Sequence, residues 1–550
     1  MKKPTSVLRK IVYSLLSLVI LITIAVSVFF LFFFDSFLNQ VVRPRFIEAI
    51  TTASNGQYEL RLGEISSHGG KLICRKFDLH RIRFDSVGNG VYLNSISMDS
   101  VVLSGISWQR ILLDKKVELT AIHFNTPTVT LGKGNGPELQ DTTKRTIIKL
   151  AQSLEHPVVS IDSIILNNIT IAMPPDSTEK NPPRIERASI GISHFKIDRD
   201  TTHAAEFLFF SNRIDINVPE VNYLLEDSLY TLSMKNVRAN LLDSSLFIDT
   251  VLYHPNYPDR AFIAKFPVRR DRLDFAWHGI SLDGVNLVKL LGWRGIEFRT
   301  GSVHDWSFDY YSDKRKPLGP PQQAVYPHEA LRGAGLRIHA DSFALHNGVV
   351  HVREQHTGSP DQAKLEFSKI EAVIHPVDVY ASDHKKAQAC EVNMSTEFLG
   401  TSVRATIIYP LSDPMFNMDL HTLVGPFDPK RLNQFLQVSD RSEITSGIVE
   451  SGELTMKIRN GVATTTLIPK YYDLSLKLLS KSTKEKRGIL EGLKTFIYNT
   501  FKLHSDNSPT VGEKVKSATT TRSRKKQEEF FQYLWFCIRK SLGHVVGGFE

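Results

Sequence analysis

Three segments of this chain align without gaps: DSVVLSG (99–105), DSIILNN (162–168) and DSFALHN (341–347). Side chains of a strand alternate between two faces, so residues i, i+2 and i+4 share one. One face therefore carries Asp99, Val101 and Leu103, then Asp162, Ile164 and Leu166, then Asp341, Phe343 and Leu345. The other carries Ser100, Val102 and Ser104; Ser163, Ile165 and Asn167; Ser342, Ala344 and His346. Such segments commit the chain to sheet with one greasy face and one wetter face. Each enters at a carboxylate and leaves through a turn residue, and Asn347-Gly348 predicts a two-residue hairpin. Offsets of 63 and 179 residues between the copies exclude a regular solenoid and leave stacked hairpins with insertions.

Two architectures use strands of this kind. One is a closed β-sandwich, with the apolar faces as its core. The other is an open, curved sheet whose apolar face is a groove for acyl chains. Both demand the same residues, so periodicity does not separate them.

Most of the remaining body reads as strand too. YELRLGEISSH, KLICRKFDLHRIRF, YLNSISMDSVVL, VELTAIHF and PTVTL are short apolar or alternating runs punctuated by Gly, Asn and Pro. Helices are few and brief. RPRFIEAITTASNG starts as an amphipathic helix with Phe46, Ile47 and Ile50 on one side and Gly56 near its end. Others are expected at Trp108–Leu113, Thr143–Leu154, Leu287–Leu291 and Pro429–Leu436, the last with Asp428 as N-cap and Pro429 in the first turn. The Pro-rich stretches 173–183 and 314–327 are too rigid and polar for strands, and either could divide the body into lobes. Segment 505–527 reads as a basic, disordered linker.

Near the N-terminus, Ile11 to Phe34 is a run of 24 residues without a charge. At ~1.5 Å rise per residue it spans a ~30 Å hydrocarbon core with tilt to spare. Bulky aromatics occupy the exit, where a cleavable signal peptide needs small residues. The run therefore reads as an uncleaved signal anchor. Lys2, Lys3, Arg9 and Lys10 precede it, so the N-terminus stays cytoplasmic and the body lies on the far side of the membrane.

Charge narrows the partners. Of the net +9, residues 1–10 carry +4 and residues 470–550 carry +8, with 16 Lys and Arg against 8 Asp and Glu; the body between is −3. A slightly acidic body argues against nucleic acid. The basic ends suit membrane surfaces.

No catalytic constellation is evident. Cys74, Cys390 and Cys537 are far apart in sequence and form no CxxC pair. His339, His346, His351 and His356 crowd one region at spacings of 7, 5 and 5, without HExxH or a carboxylate in ligand register. They read as solvent-side histidines, with His351 on a different strand from His346. GKGNGP lacks the strand-to-helix context of a phosphate loop, and no GxSxG occurs. Asp305 and Asp309 sit at strand spacing, which alone supports no glycosidase. The expectation is a protein that is not an enzyme and has no cofactor, metal or catalytic residue.

At the C-terminus, EEFFQYLWFCIRKSLGHVVGGFE places Phe530, Leu534, Cys537 and Ile538 at helical spacing, with Phe531, Tyr533, Trp535 and Phe536 widening the apolar face. About a dozen apolar residues are too few to span a bilayer. Behind Lys525 and Lys526, this helix is either an interfacial membrane anchor or a helix docked back on the body. Phe530, Phe531, Leu534, Trp535, Ile538, Lys525 and Lys526 are the candidate interface residues.

The signal anchor, the helix ending near SNGQYEL and the stretch DSVVLSGISWQRILLDKKVELTAIHFNTPTVTL together resemble the AsmA-like proteins of Gram-negative bacteria, which share a strand, a turn, a strand and then P-x-[IV]-x-L. LDGVNLVKLL, IHADSFALHNGVVHVREQHTG, LEFSKIEAVIHPV and GPFDPKRLNQFLQVSDRSEITSGIVESGELTMKI resemble the body and C-terminal module of the branch common in Bacteroidota. The resemblance covers most of residues 1–500 and is one of patterns, not of catalytic signatures. It implies a mainly β protein: an N-terminal transmembrane helix, then an elongated, curved, largely antiparallel sheet forming a chorein-like groove, with a few short helices. It implies an inner-membrane protein with a periplasmic body that binds or conducts lipid acyl chains between the membranes and supports outer-membrane homeostasis. Val101, Leu103, Ile164, Leu166, Phe343 and Leu345 are then the candidate groove residues. A membrane-tethered β-scaffold for envelope assembly, meeting other envelope proteins and holding no lipid, fits the same residues.

The expected division is a basic tail (1–10), the anchor (11–34), the start of the groove (35–180), its centre (181–425), a C-terminal module (426–504), the linker (505–527) and the terminal helix (528–550). The membrane partners would be the inner membrane through 11–34 and a second contact through 528–550.

Overall fold

The computed structural model describes residues 20–547 except 22, 25–26, 55, 83–88, 136–157, 173–183, 199–210, 212, 226–227, 292–294, 320–323, 334–336, 380–387, 414, 480–504, 509–513 and 527. The described chain is mainly β, with a large mixed sheet and short helices. It forms two compact units, residues 1–220 with 240–242, and residues 221–239 with 243–550. The division falls at neither Pro-rich stretch.

Residues 11–19 of the expected membrane span, and the expected helix Thr143–Leu154, lie outside the described residues. Among the described residues no helix is long and apolar enough to cross a membrane. From residue 27 the backbone is helical through π turns at Phe29–Phe33 and Leu38–Val42 into α1 (Arg43–Ala53), where Pro44 takes a first-turn position. Gly56, at a φ of 70°, follows in the left-handed conformation that stops helices.

The strands of the first unit are β1 (Tyr58–Leu62), β2 (Ile65–His68), β3 (Lys71–Arg81), β4 (Asn89–Ser104), β5 (Lys116–Asn125), β6 (Thr128–Asn135), β7 (Val158–Ala172) and β8 (Arg184–Asp198). β3 pairs antiparallel with β1, β2 and β4. Short helix α2 (Trp108–Leu113) separates β4 from β5, as its sequence predicts. β5 and β6 are two halves of one line broken at Pro127. Both pair antiparallel with β4 and parallel with β7. β7 then pairs antiparallel with β8. β9 (Arg213–Leu225) and β10 (Tyr230–Asn240) follow, and the unit division runs through both.

The second unit contains β11 (Ser245–Pro255), α3 (Asp259–Ala264), β12 (Arg272–Asp283), α4 (Leu287–Leu291), β13 (Ile296–Asp313), α5 (Pro327–Gly333), β14 (Ile338–Gln355), β15 (Gln362–His375) and β16 (Val377–Val379). It continues with β17 (Cys390–Phe398), β18 (Thr401–Tyr409), β19 (Met418–Val424), a 3-10 turn Pro429–Leu432, α6 (Asn433–Ser439), β20 (Ser442–Arg459), β21 (Val462–Leu478), β22 (Ala518–Ser523) and α7 (Phe530–Gly547). Asp428 caps the 3-10 turn as expected, its Oδ1 accepting the Lys430 amide at 2.9 Å. Successive pairings are antiparallel from β11 to β22 except β13–β14, which is parallel.

Among the described pairings the sheet is largely antiparallel, with parallel pairs at β5–β7, β6–β7 and β13–β14. Three expectations change here. Parallel neighbours need a long crossover, and β13 reaches β14 through residues 314–337. Both described ends of the Pro-rich 314–327 stretch are tied to the body by this crossover: Lys316 Nζ donates to the Phe266 carbonyl at 2.8 Å, and Tyr326 is fully buried. The 505–527 segment is no disordered linker: Ala518–Ser523 pairs with β21, and Asn507 Oδ1 accepts the Lys516 amide at 2.8 Å. Its Thr-rich ATTTRS suits a strand once an edge is available.

The third is the hairpin at Asn347-Gly348, where β14 instead runs straight through. A type I′ turn needs positive φ at both central residues. Only Asn347 has it, at 47°, and the register with β15 shifts between Leu345 and Gly348. The site is a β-bulge. The last residue of all three sequence repeats takes this conformation: Gly105 at 65°, Asn168 at 54° and Asn347 at 47°. Gly and Asn are the residues that enter this region at least cost, which explains why they end the repeat. His351 consequently shares β14 with His346, against the separate-strand expectation.

Candidate functional site

Directly paired residues on adjacent strands share a face, so register can be followed across the sheet. In the first unit, one row runs Leu72, Leu103, Ile122, Ile164, Ile192 across β3, β4, β5, β7 and β8. The next runs Cys74, Val101, Phe124, Leu166, Ile190. The first two sequence repeats therefore meet on one apolar face, with Ile122 and Phe124 between them. Val101 and Ile164 are 8% exposed, while Leu103 and Leu166 are half-buried. α1 covers one end of this face, setting Ile47 and Ile50 against Leu60, Leu62, Cys74 and Val101.

The second unit repeats the arrangement on a larger scale. One row passes through Leu246, Leu282, Gly301, Phe343, Ile374, Val392, Ile407, Leu420, Met456, Thr465 and Thr520. The row beside it passes through Ile248, Ile280, Val303, Leu345, Ala372, Met394, Ala405, Thr422, Leu454, Leu467 and Ala518. Neither row holds a charged residue over eleven strands. Phe343 and Leu345, the third repeat, stand in the middle of both. At Gly301 a Cβ would come within 2.7 Å of Leu282 and Phe343, so the missing side chain lets these two close over the gap.

Beyond the bulge the face becomes aromatic. Rows Trp277, Trp306, Gly348, Ile370 and Phe275, Phe308, Val350, Phe367, Phe398 continue it. The left-handed residues Gly279 (63°) and Asn347 each interrupt strand alternation, which brings Trp277 within 6.5 Å of Phe343, ring centroid to centroid. The Trp306 indole lies against Gly348, where a Cβ would meet it at 2.1 Å. The indole nitrogens of Trp277 and Trp306 are buried and have no hydrogen-bond partner, as befits apolar surroundings.

The opposite face carries the charge. His346 Nδ1 sits 2.7 Å from Glu371, His351 Nε2 is 3.3 Å from Glu366 and His421 Nε2 is 3.0 Å from Glu453. The Asn347 amide and His346 hold the Glu371 carboxyl below its ordinary range. Arg353 donates from Nε and Nη2 to Asp309 at 2.8 Å each and from Nη1 to Asp259 at 2.6 Å. Burial works against this guanidinium, but the two carboxylates hold its proton more firmly than usual. His356, expected on the solvent side, is instead buried together with Glu354, 2.9 Å away, and His339 is exposed. Each histidine with a carboxylate thus has its own, and among the described residues no group of three or more ligand types gathers as a metal site would require.

What lies over the apolar rows varies. Over β20–β22 sits α7: Tyr533 and Cys537 are fully buried with Met456, Ile458 and Ala463, and Ser541 Oγ is 2.8 Å from Thr520 Oγ1. Burial pushes the Cys537 thiol up to about 11. Of the C-terminal candidates, Phe530, Leu534 and Ile538 pack against this cluster, while Phe531, Trp535, Lys525 and Lys526 face outward. Across β15, β17 and β18, Ile374, Val392, Met394, Ala405 and Ile407 are only half-buried.

The sequence repeat finds Val101, Leu103, Ile164, Leu166, Phe343 and Leu345. It misses Ile122, Phe124, Val392, Met394 and Ile407. Their signal is the alternation in VELTAIHF, CEVNMSTEF and SVRATIIY, which marks strands without saying which alternate set joins the repeat's face. No protein-family model matches this chain, and no curated protein matches it in sequence.

Proposed function

We propose that this is a non-enzymatic, AsmA-like envelope protein whose apolar sheet face binds or conducts lipid acyl chains. The observation that carries the reading is the pair of uncharged rows over eleven strands, half-buried where β17 and β18 cross them. A face meant for solvent would carry charge, as the other side of the same strands does. Acyl chains need a continuous apolar strip and no specific polar partner, and the rows supply that. The uncharged 11–34 run is the anchor, placing the body in the periplasm of a Gram-negative envelope. Leu21, Ile24 and Phe32 are exposed, as lipid-facing residues are.

The test uses a photoreactive amino acid in the full-length chain, installed at Met394 or Ile407 and, on the other face, at Asn393 or Thr406. Irradiation in native membranes followed by mass spectrometry should find phospholipid adducts at the first pair alone. Adducts at neither pair, or at both equally, overturn the reading. A membrane-tethered scaffold without a lipid ligand then stands in its place. That alternative draws support from α7, which already fills part of the same face with protein.

A further inference from the structure

α7 reaches its place through a latch. Arg524 Nη1 and Nη2 donate to Glu329 at 3.1 Å each, and the guanidinium carbon lies 3.4 Å from the Tyr326 ring centroid. The Ala324 amide donates to the Lys526 carbonyl at 2.8 Å. The crossover before α5 and the start of α7 are therefore held together within one unit. Two large apolar side chains of this corner point away from the body all the same: Val325 is 66% exposed and Phe531 75%. Trp535, one helical turn after Phe531, is 38% exposed.

The charges around them are mostly of one sign. Lys525 and Lys526 are exposed, while Lys540, on the other flank of the helix, donates to the Thr521 carbonyl at 2.8 Å. Arg522 and Arg539 lie over the Phe536 ring at 5.0 and 5.8 Å. Glu528 is buried against Arg522, and Glu529 is exposed, with Asp271, Lys314 and Arg269 close enough to act on its carboxyl. Gln532, between the aromatics, is neutral.

We propose that Val325, Phe531 and Trp535, flanked by Lys525 and Lys526 just before the helix, form a docking surface for an anionic phospholipid bilayer. Exposed aromatics enter the headgroup region while lysines meet phosphate. The helix does not lie in the membrane on its broad apolar face, because that face is already packed on β21 and β22. It presents a narrow wedge from a rigid mount. This surface is separate from the sheet rows and does not depend on their holding lipid.

The experiment uses the full-length chain in amphipol with Phe531→Cys labelled by an environment-sensitive nitrobenzoxadiazole dye. Cys74, Cys390 and Cys537 are buried, and burial raises all three thiols, so labelling favours the new site. Vesicles containing phosphatidylglycerol should raise and blue-shift the emission. Vesicles of phosphatidylcholine alone should do so at least fivefold more weakly. A label at Lys369→Cys, on the charged sheet face, should stay unchanged, so that insertion of the N-terminal run alone gives no false positive. Lys525→Glu with Lys526→Glu should weaken the response about tenfold, with an unaltered melting curve showing an intact fold. No response to either vesicle, an equal response to both, or a matching response at residue 369 overturns the proposal, and a protein partner for this corner becomes the better reading.

Discussion

Strands β20–β22 and strands β15–β18 carry the same two apolar rows in different surroundings. Under α7, Met456 is 0% exposed and Thr465 1%. Where β17 and β18 cross, Val392, Met394 and Ile407 are half-buried, although the alternation that places them is no weaker. One stretch of the pattern has become ordinary core, and the other is left at a surface. The apolar pattern is therefore a property of the sheet, and its role is set by what lies on top.

The sharpest way to break this comparison is a carboxylate in each place. Met456→Asp buries an unpaired charge under α7 and should cost about 5 kcal/mol, enough to unfold the second unit in a thermal melt. Ile407→Asp on the half-buried stretch should cost about 1 kcal/mol and leave the fold intact while removing lipid adducts at Met394. Equal losses at both positions would show that the two stretches are the same closed core. Leu166→Asp and Leu345→Asp extend the comparison to the sequence repeats.

A smaller effect probes the aromatic end of the face. Gly348→Ala sets a Cβ into the Trp306 indole and should destabilise by about 2 kcal/mol, with a change in tryptophan fluorescence. If stability is unaffected, Trp306 does not rest on that backbone.

The covered stretch can also be uncovered. Arg524→Ala removes the Glu329 pair and the Tyr326 contact, and should loosen α7 by about 2 kcal/mol, read as faster proteolysis near residues 524–530. Burial raises the Glu329 carboxyl, but Arg524 together with the Tyr326 amide and His328 leaves it below its ordinary range. A carboxylate so lowered stabilises the fold above its unfolded value of ~4.3 and loses that contribution as pH falls through the folded value. Proteolysis of wild-type α7 should accordingly rise below about pH 4 and approach that of Arg524→Ala. An identical acid response in the variant would remove Glu329 from the latch.

The smallest effect concerns the bulge. Asn347→Gly should change stability by less than about 1 kcal/mol, whereas Asn347→Val should cost about 2, because a β-branched residue resists positive φ. Denaturant titration distinguishes the two.

Much of this was legible in the residues. DSVVLSG, DSIILNN and DSFALHN announce strands with one apolar side, and Trp108–Leu113, Leu287–Leu291 and the Asp428 cap sit where their local signals place them. The reading failed where a local signal had two outcomes. Asn347-Gly348 permits a hairpin or a bulge, and pairing with β13 and β15 on both sides of β14 selects the bulge. ATTTRS sits in a polar, basic tract and looks unstructured until the edge of β21 offers it hydrogen bonds.

That strands dominate, which residues alternate, and where Gly or Asn admits a left-handed bend all follow from the residues alone, because each depends on neighbours along the chain. Which strands adjoin is fixed by the folded sheet, which aligns Leu345 with Met394, Leu454 and Ala518 through their partners. It also decided that α7 covers one end of those rows. Both depend on contacts between residues tens to hundreds of positions apart, which no local pattern encodes.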